Sequence, residues 1–196
     1  MLWYNTLRRI LIPVVACCVA IVLFAGCGGD TGTARTYMRQ ADLAYTAAVA
    51  KGLELQKLQE SLLPAVVSGD PAQLKAAAPQ LPEIEAAVVA YQESAKKALA
   101  DYKKVDSLSG VADYKTYADM MVASLDELIT SIDTGKALVS EFKDLVSKLN
   151  SSTPPDIAAS KLHLFDKINL ALNQSTKARQ LAQKAKDYQS KQKLNG

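Results

Sequence analysis

The sequence predicts an all-α protein, an up-down-up-down four-helix bundle with long coiled-coil-like helices. Aromatic residues make up 6% of the 196 residues, and the abundance of Ala, Leu, Lys and Gln favours helices over strands. After the first 33 residues, apolar side chains recur at helical spacing throughout. Clusters of Pro, Gly, Ser and Asp divide this pattern into four long segments.

The N-terminal segment is typical of an export signal. Arg8 and Arg9 form a basic start, and an uncharged run of 16 residues that contains Pro13 follows. A membrane-spanning helix needs about 20 apolar residues, so this run is better suited to a signal. We therefore predict a cleaved signal peptide over residues 1–26, with an ordinary secretory signal or an uncleaved anchor as the alternatives.

The end of this run resembles the lipobox of bacterial lipoproteins, whose usual form is Leu-Ala-Gly-Cys. The residues here are Leu23-Phe24-Ala25-Gly26-Cys27, so the last three match and Phe24 stands where Leu is usual. The resemblance covers the first 27 residues. It implies that Cys27 carries a thioether-linked diacylglycerol and becomes the mature N-terminus, with acyl chains such as palmitate holding it to the membrane.

The same resemblance implies an extracytoplasmic, membrane-anchored protein. Gly28 rather than Asp follows Cys27, so the expected location is the outer membrane in a cell with two membranes, and otherwise the outer face of the plasma membrane. Cys17 and Cys18 would leave with the signal, and the mature chain must then rely on its core rather than on disulfides. Residues 27–33 are predicted to form the lipid-attachment site and a flexible tether.

The first predicted helix spans residues 34–67. Its apolar stripe consists of Tyr37, Ala41, Ala44, Ala48, Leu55, Leu58, Leu62 and Val66. Gly69 is suited to ending this helix. Asp70 is suited to capping a following short helix over residues 71–77, and Pro71 to its first position.

The second and third predicted helices, 82–106 and 111–149, have the most regular patterns. The second carries Ile84, Val88, Tyr91, Ala95, Ala98, Tyr102 and Val105. The third carries Tyr114, Ala118, Met121, Leu125, Leu128, Ile132, Gly135, Val139, Phe142, Val146 and Leu149. These positions alternate steps of four and three, which predicts left-handed, coiled-coil-like packing. Gly135 is the point at which the third helix could bend.

The fourth predicted helix spans residues 154–190. Thr153 is its predicted cap and Pro154 its first residue. Its predicted apolar side consists of Ala158, Phe165, Ile168, Leu172, Ser175, Ala178, Ala182 and Ala185. The last two turns are polar and are expected to fray.

Two architectures satisfy these four amphipathic segments. Short turns between them favour a monomeric bundle over residues 34–193, because neighbouring helices then cover one another's apolar faces. An extended helical hairpin that dimerises into a coiled coil is the alternative. The expected state is therefore a monomer or a helical dimer.

The chain offers few residues for metal, haem or catalytic chemistry. It contains no C-x-x-C-H, Gly-rich phosphate loop, nucleophile elbow or H-E-x-x-H. The single His, His163, has Ser160 three residues before it, which excludes the paired Glu-x-x-His motifs of a ferritin-like di-iron site. We expect no enzyme activity, no metal and no cofactor, and we interpret His163 as a hydrogen-bonded residue at the boundary of the bundle.

Three tyrosines on the predicted seams, Tyr91, Tyr102 and Tyr114, are candidates for a ligand-binding cleft. A tyrosine at such a position must find a hydrogen-bond partner or reach the edge of the core. Small residues such as Ala95 and Gly52 accompany them, so one interpretation is that each ring fills space opposite a small side chain. The other is an aromatic-lined cleft for a small apolar or cationic ligand.

Charge is unevenly distributed along the mature chain. From Lys177 onward there are six basic residues and one acidic residue, a net charge of +5, whereas residues 28–176 carry 15 basic and 19 acidic residues, a net charge of −4. Cations suit the C-terminal end of a helix without any partner, but such a cluster also attracts anionic lipid headgroups or another anionic envelope polymer. The candidates for this contact are Lys184, Lys186, Lys191 and Lys193.

The sequence as a whole predicts a lipid-anchored extracytoplasmic helical bundle that acts as an envelope interaction or scaffold module. The expected partners are the membrane, through lipidated Cys27, and another envelope protein or anionic envelope polymer. Nucleic acid is not expected, because the chain carries an export signal and lacks an aromatic-basic RNA motif. The alternative is a small-ligand-binding or sensing bundle with a tyrosine-lined cleft.

Overall fold

The computed structural model describes residues 29–149, 151 and 155–194, and its regular structure there is entirely helical. The five α-helices are α1 (Thr31–Ser68), α2 (Pro71–Ala77), α3 (Leu81–Lys103), α4 (Ala112–Lys148) and α5 (Ile157–Gln192). Two 3-10 turns, Ala78–Gln80 and Lys104–Ser107, precede and follow α3. The predicted all-α class with four long helices is confirmed. The predicted signal peptide and Cys27 lie outside the described residues.

The break between α1 and α2 follows the turn chemistry of its residues. Gly69 ends α1 in the left-handed region, with φ at 69°, and its N–H donates to the carbonyl of Ala65 at 3.1 Å. Glycine adopts this conformation without steric cost. The Asp70 carboxylate then accepts from the N–H of Ala72 at 3.1 Å, and Pro71 is the first residue of α2. The predicted roles of Asp70 and Pro71 are confirmed.

The third long helix, α4, is continuous through Gly135. The bend that the sequence allowed there does not occur. A β-carbon built on Gly135 would meet no atom within 4 Å, so this glycine sits where the helix has open space beside it rather than a close neighbour.

The boundaries of α5 differ from the sequence prediction. The helix begins at Ile157 rather than at Pro154, because the carboxylate of Asp156 caps it by accepting from the N–H of Ala159 at 3.0 Å. Its last turns are helical as far as Gln192. The N–H of Leu194 then donates to the carbonyl of Gln189 at 3.0 Å, and the Leu194 side chain is buried. This closing bond and the buried leucine hold the end that was expected to fray.

Side-chain contacts bring early residues of each long helix to late residues of the next. Between α1 and α3 these contacts are Asp42 with Tyr102 and Gly52 with Tyr91. Between α3 and α4 they are Glu85 with Lys143 and Gln92 with Asp133. Between α4 and α5 they are Asp113 with Tyr188, Ser124 with Ala178, and Glu141 with Lys167. Consecutive long helices therefore run in opposite directions.

The buried face of α5 is partly different from the predicted one. Leu164, which was not predicted, is 3% exposed, whereas the predicted Leu172 is 58% exposed. Ala158 is exposed as well. The residues that face α4 are spaced seven apart and include Leu164, Ala178 and Ala185, so the neighbouring line that contains Leu172 is turned to the side.

Candidate functional site

Tyr102 and Tyr117 converge on one carboxylate in the interior. Tyr102, on α3, is 0% exposed and donates its hydroxyl hydrogen bond to Oδ1 of Asp42, on α1. Tyr117, on α4, donates to the same oxygen at 2.9 Å. The two rings meet edge to face, with centroids 5.9 Å apart. We call these three residues the Asp42 cluster; it ties α1, α3 and α4 together.

Both tyrosines of the Asp42 cluster are held in the neutral form. Burial raises the pKa of Tyr102 above its usual value, and the charge of the neighbouring Asp42 raises it further. The pKa of Tyr117 is raised for the same two reasons, burial first. Each hydroxyl therefore keeps its proton and remains a donor to the carboxylate. Tyr102, one of the three predicted cleft residues, has its hydroxyl engaged here.

Tyr114 has a different partner near the start of α1. Its hydroxyl oxygen accepts from Nε of Arg35 at 3.0 Å. Arg35 lies seven residues before Asp42, which is about 10 Å along the helix axis. The hydroxyl of Tyr114 therefore contacts α1 one level away from the Asp42 cluster.

Tyr91 lies against Gly52 on α1, in the opposite direction along the helix. A β-carbon at Gly52 would come within 2.9 Å of Cζ of the tyrosine ring, so the glycine makes room for it. Burial raises the pKa of Tyr91 to about 12, Tyr45 raises it further, and Arg179 lowers it. The structure thus places Tyr91, Tyr102 and Tyr114 at three levels of α1, with about 15 Å along the axis between Asp42 and Gly52.

The two glycines of the helical seams give a matched pair of predictions. Replacing Gly135 by Ala should stabilise the protein by about 0.5–1 kcal/mol, because alanine has the higher helix propensity and meets no neighbour. The same change at Gly52 should lose this gain, because the added carbon displaces the ring of Tyr91. Urea denaturation of both variants followed by circular dichroism gives the comparison. Equal stabilisation by the two substitutions would contradict the close contact at Gly52.

The residues that sequence reasoning missed are Asp42, Tyr117 and Arg35. Asp42 carried one usable signal, since it is a carboxylate between the stripe residues Ala41 and Ala44. Its partners come from two other helices, at separations of 60 and 75 residues. No spacing within one helix could have identified them.

The start of the described chain lies beside the turn before α4. The N–H of Asp30 donates to the carbonyl of Ser109 at 3.0 Å, and the N–H of Ser109 donates back to the Asp30 carboxylate at 3.0 Å. Gly29 is so close to Gly110 that a β-carbon on it would lie 2.7 Å from the Gly110 carbonyl oxygen. We call this region, together with the neighbouring end of α5, the tether end.

The end of α5 lies at the tether end as well. The hydroxyl of Tyr188 donates to Asp113, in the first turn of α4, at 2.8 Å. Nζ of Lys186 lies 5.7 Å from the ring centroid of Tyr45 on α1. The four predicted contact residues are all exposed: Lys184, Lys186, Lys191 and Lys193.

His163 belongs to an exposed ionic group on α4 and α5. Its Nδ1 is 3.2 Å from Oε2 of Glu141, whose other oxygen is 2.8 Å from Nζ of Lys167. Partial burial raises the pKa of Glu141, but hydrogen bonds and charge from Lys167 and His163 outweigh it, so the pKa lies below its ordinary value. Across the described ranges, no group of three or more His, Cys, Asp or Glu is placed to hold a metal ion.

The described side chains offer two kinds of binding chemistry. Exposed ammonium groups on the last turns of α5 attract anions, and tyrosine hydroxyls along α1 donate hydrogen bonds to polar ligands. Over the residues that the structure covers, no helix has both the length and the apolar character to cross a membrane. No protein-family model, curated protein or solved structure matches the chain.

Proposed function

We propose that this chain is a bacterial lipoprotein, held to the membrane by lipid on Cys27, that acts as an extracytoplasmic envelope interaction or scaffold module. The observation that carries the proposal is the tether end. Gly29, two residues after Cys27, packs against Gly110 beside the ends of α3 and α5. A lipid on Cys27 would hold that end close to the membrane and direct the turn between α1 and α3 away from it.

The proposed architecture is an up-down-up-down bundle with coiled-coil-like packing. It is supported by the opposite directions of consecutive long helices and by the seam of α4, where nine predicted positions from Tyr114 to Val146 are buried. The proposed state is a monomer, because the four helices can cover one another's apolar faces. A dimeric helical hairpin is the alternative, and native mass spectrometry distinguishes the two.

The proposed contact surface is the basic end of α5. Lys184, Lys186, Lys191 and Lys193 are exposed at the tether end, where anionic headgroups or an anionic envelope polymer would be nearest. Each basic residue close to an anionic membrane surface contributes about 1 kcal/mol of attraction. The hydrogen bond from Tyr188 to Asp113 keeps this part of α5 on the body of the protein.

The anchor is tested by changing single cysteines in the full chain. We expect Cys27→Ser to abolish incorporation of an alkyne-tagged palmitate and to prevent maturation of the precursor. Cys18→Ser, nine residues earlier in the same segment, is the matched control and should be labelled like the wild type. Labelling that persists in Cys27→Ser would contradict the proposal.

The contact surface is tested on the lipidated chain in vesicles. Acetylation of lysines, read by mass spectrometry, should be slowed at Lys184, Lys186 and Lys191 when the vesicles contain phosphatidylglycerol, and not when they contain phosphatidylcholine alone. The protection should fall at high salt, because exposed charges are screened. Lys57 and Lys75, also exposed but far from the tether end, serve as internal controls. Equal reactivity of both groups in the two vesicles would argue against the surface.

The second candidate function is small-ligand binding through a tyrosine-lined cleft. The hydroxyls of Tyr102 and Tyr114 are engaged within the protein. Tyr91 is the predicted cleft residue that favours this function, because its half-buried hydroxyl makes no hydrogen bond to any described residue. We expect native mass spectrometry of the chain isolated from its host to reveal a bound mass that is lost on denaturation.

A further inference from the structure

One line of α5 faces α1 along most of its length. It consists of Phe165, Leu172, Arg179 and Lys186, spaced seven residues apart. At one end Lys186 lies over the ring of Tyr45. At the other end the line is close to Lys161, whose ammonium group donates to the carbonyl of Val67 while lying 5.9 Å from the ring of Phe165. The two helices therefore meet at both ends of this line.

Between these two meeting points the facing side chains are apolar and open to solvent. Leu172 on α5 is 58% exposed, and Val49 and Leu63 on α1 are 42% and 46% exposed. The levels of Gly52 and Leu63 are about 16 Å apart along α1. We call this open stretch between α1 and α5 the side groove. Exposed apolar surface between two packed helices is a feature of binding sites.

The end of the side groove nearer the tether end is polar and cationic. Tyr45 and Tyr91, half-buried side chains of α1 and α3, make no hydrogen bond through their hydroxyls to any residue in the described ranges. Arg179 lies near enough to both rings that its charge lowers the pKa of each against the raising effect of burial. Lys186 adds a second positive charge beside Tyr45. Two O–H donors and two cations thus meet at one point.

We propose that the side groove binds a free long-chain carboxylate, with its head at Arg179 and the Tyr45 and Tyr91 hydroxyls and its aliphatic chain along Leu172. The charge complementarity is specific, since a guanidinium and two neutral hydroxyls can all donate to one carboxylate. The apolar walls on both helices match the chain of such an amphiphile. The inference rests on the second candidate function, small-ligand binding, and is independent of lipid on Cys27.

The position of the site favours a free amphiphile over a phospholipid in the bilayer. Tyr45 lies 14 residues beyond Thr31, the first residue of α1, which is about 21 Å along the axis. A headgroup held in the membrane at the tether end would be separated from Arg179 by that distance. The carboxylate must therefore arrive as a free molecule.

The test is photoaffinity labelling of the full chain in phosphatidylcholine nanodiscs with a diazirine-bearing palmitate. Peptide mapping should place the label on residues 49–63 and 165–179. Arg179→Gln should lower labelling at least fivefold, and Tyr91→Phe, which removes a hydroxyl and keeps the ring, at least twofold. Free palmitate should compete, whereas hexadecanol and phosphatidylglycerol should not.

A matched control removes the same charge from another side of the same helix. Lys184→Gln should label like the wild type, and circular dichroism checks that every variant remains helical. Unchanged labelling in Arg179→Gln, or label spread over other exposed apolar residues such as Leu43 and Leu170, would overturn the proposal. A wild type that takes no label while native mass spectrometry shows another bound molecule would overturn the carboxylate assignment and leave small-ligand binding standing.

Discussion

Replacing Asp42 by Ala should destabilise the protein by about 2–4 kcal/mol, because it removes the acceptor of two buried hydroxyls. Tyr102 and Tyr117 both donate to its Oδ1, and both side chains lie in the core. A buried donor left without a partner costs about 1–3 kcal/mol. For a domain of this size each kcal/mol lowers the melting temperature by about 2–4 °C. Urea denaturation followed at a helical wavelength measures the loss directly.

Two further variants separate the hydrogen bonds from the charge. Asp126→Ala removes an exposed carboxylate of α4 and should change the free energy of unfolding by less than about 0.5 kcal/mol. A triple variant, Asp42→Leu with Tyr102→Phe and Tyr117→Phe, should recover part of the loss, because no polar group is then left unpaired. A cost for Asp42→Ala as small as that for Asp126→Ala would show that the cluster does not form in solution.

The Asp42 cluster explains how Ala-rich seams can fix one alignment of the helices. Ala41, Ala44 and Ala48 give α1 a smooth buried face, and such a face would tolerate a shift of one heptad. Asp42 tolerates no such shift, because a displacement would leave its carboxylate and both tyrosine hydroxyls unpaired. We therefore expect Asp42→Leu combined with the two Phe substitutions to yield a stable protein with a less unique alignment, visible as broadened amide resonances.

The regular seams of this sequence predicted helices well because burial there depends on position within one helix. The observed α1 and α4, Thr31–Ser68 and Ala112–Lys148, extend to within three residues of the predicted 34–67 and 111–149. Pro64 is helical within α1 even though its ring removes a backbone donor. The start of α5 was set wrongly, because Thr153 and Asp156 are both good caps and the sequence alone did not choose between them.

The candidate sites were harder to predict because their partners are far apart in the chain. The sequence drew attention to Tyr91, Tyr102 and Tyr114 but not to what each hydroxyl meets. Tyr102 meets Asp42 across 60 residues and Tyr114 meets Arg35 across 79. Such contacts depend on how the helices are aligned, and the spacing within each helix carries no information about that alignment.

The side of α5 that faces the core gives the second large prediction. Leu164→Ala should cost about 2–4 kcal/mol, because Leu164 is 3% exposed and its removal leaves a cavity. Leu172→Ala, the same chemical change eight residues later, should cost less than about 0.5 kcal/mol, because Leu172 is 58% exposed. Chemical denaturation of the two variants under identical conditions measures the difference.

The comparison decides between two lines of side chains that the sequence made equally plausible. Leu164 is spaced for the line of Ala178 and Ala185, whereas Leu172 is spaced for the line of Arg179. A larger loss from Leu172→Ala than from Leu164→Ala would mean that α5 is rotated toward the face predicted from the sequence, and it would close the side groove. The expected order instead leaves Leu172 outside the core. Its stability-neutral replacement would then isolate its contribution to ligand binding from any effect on folding.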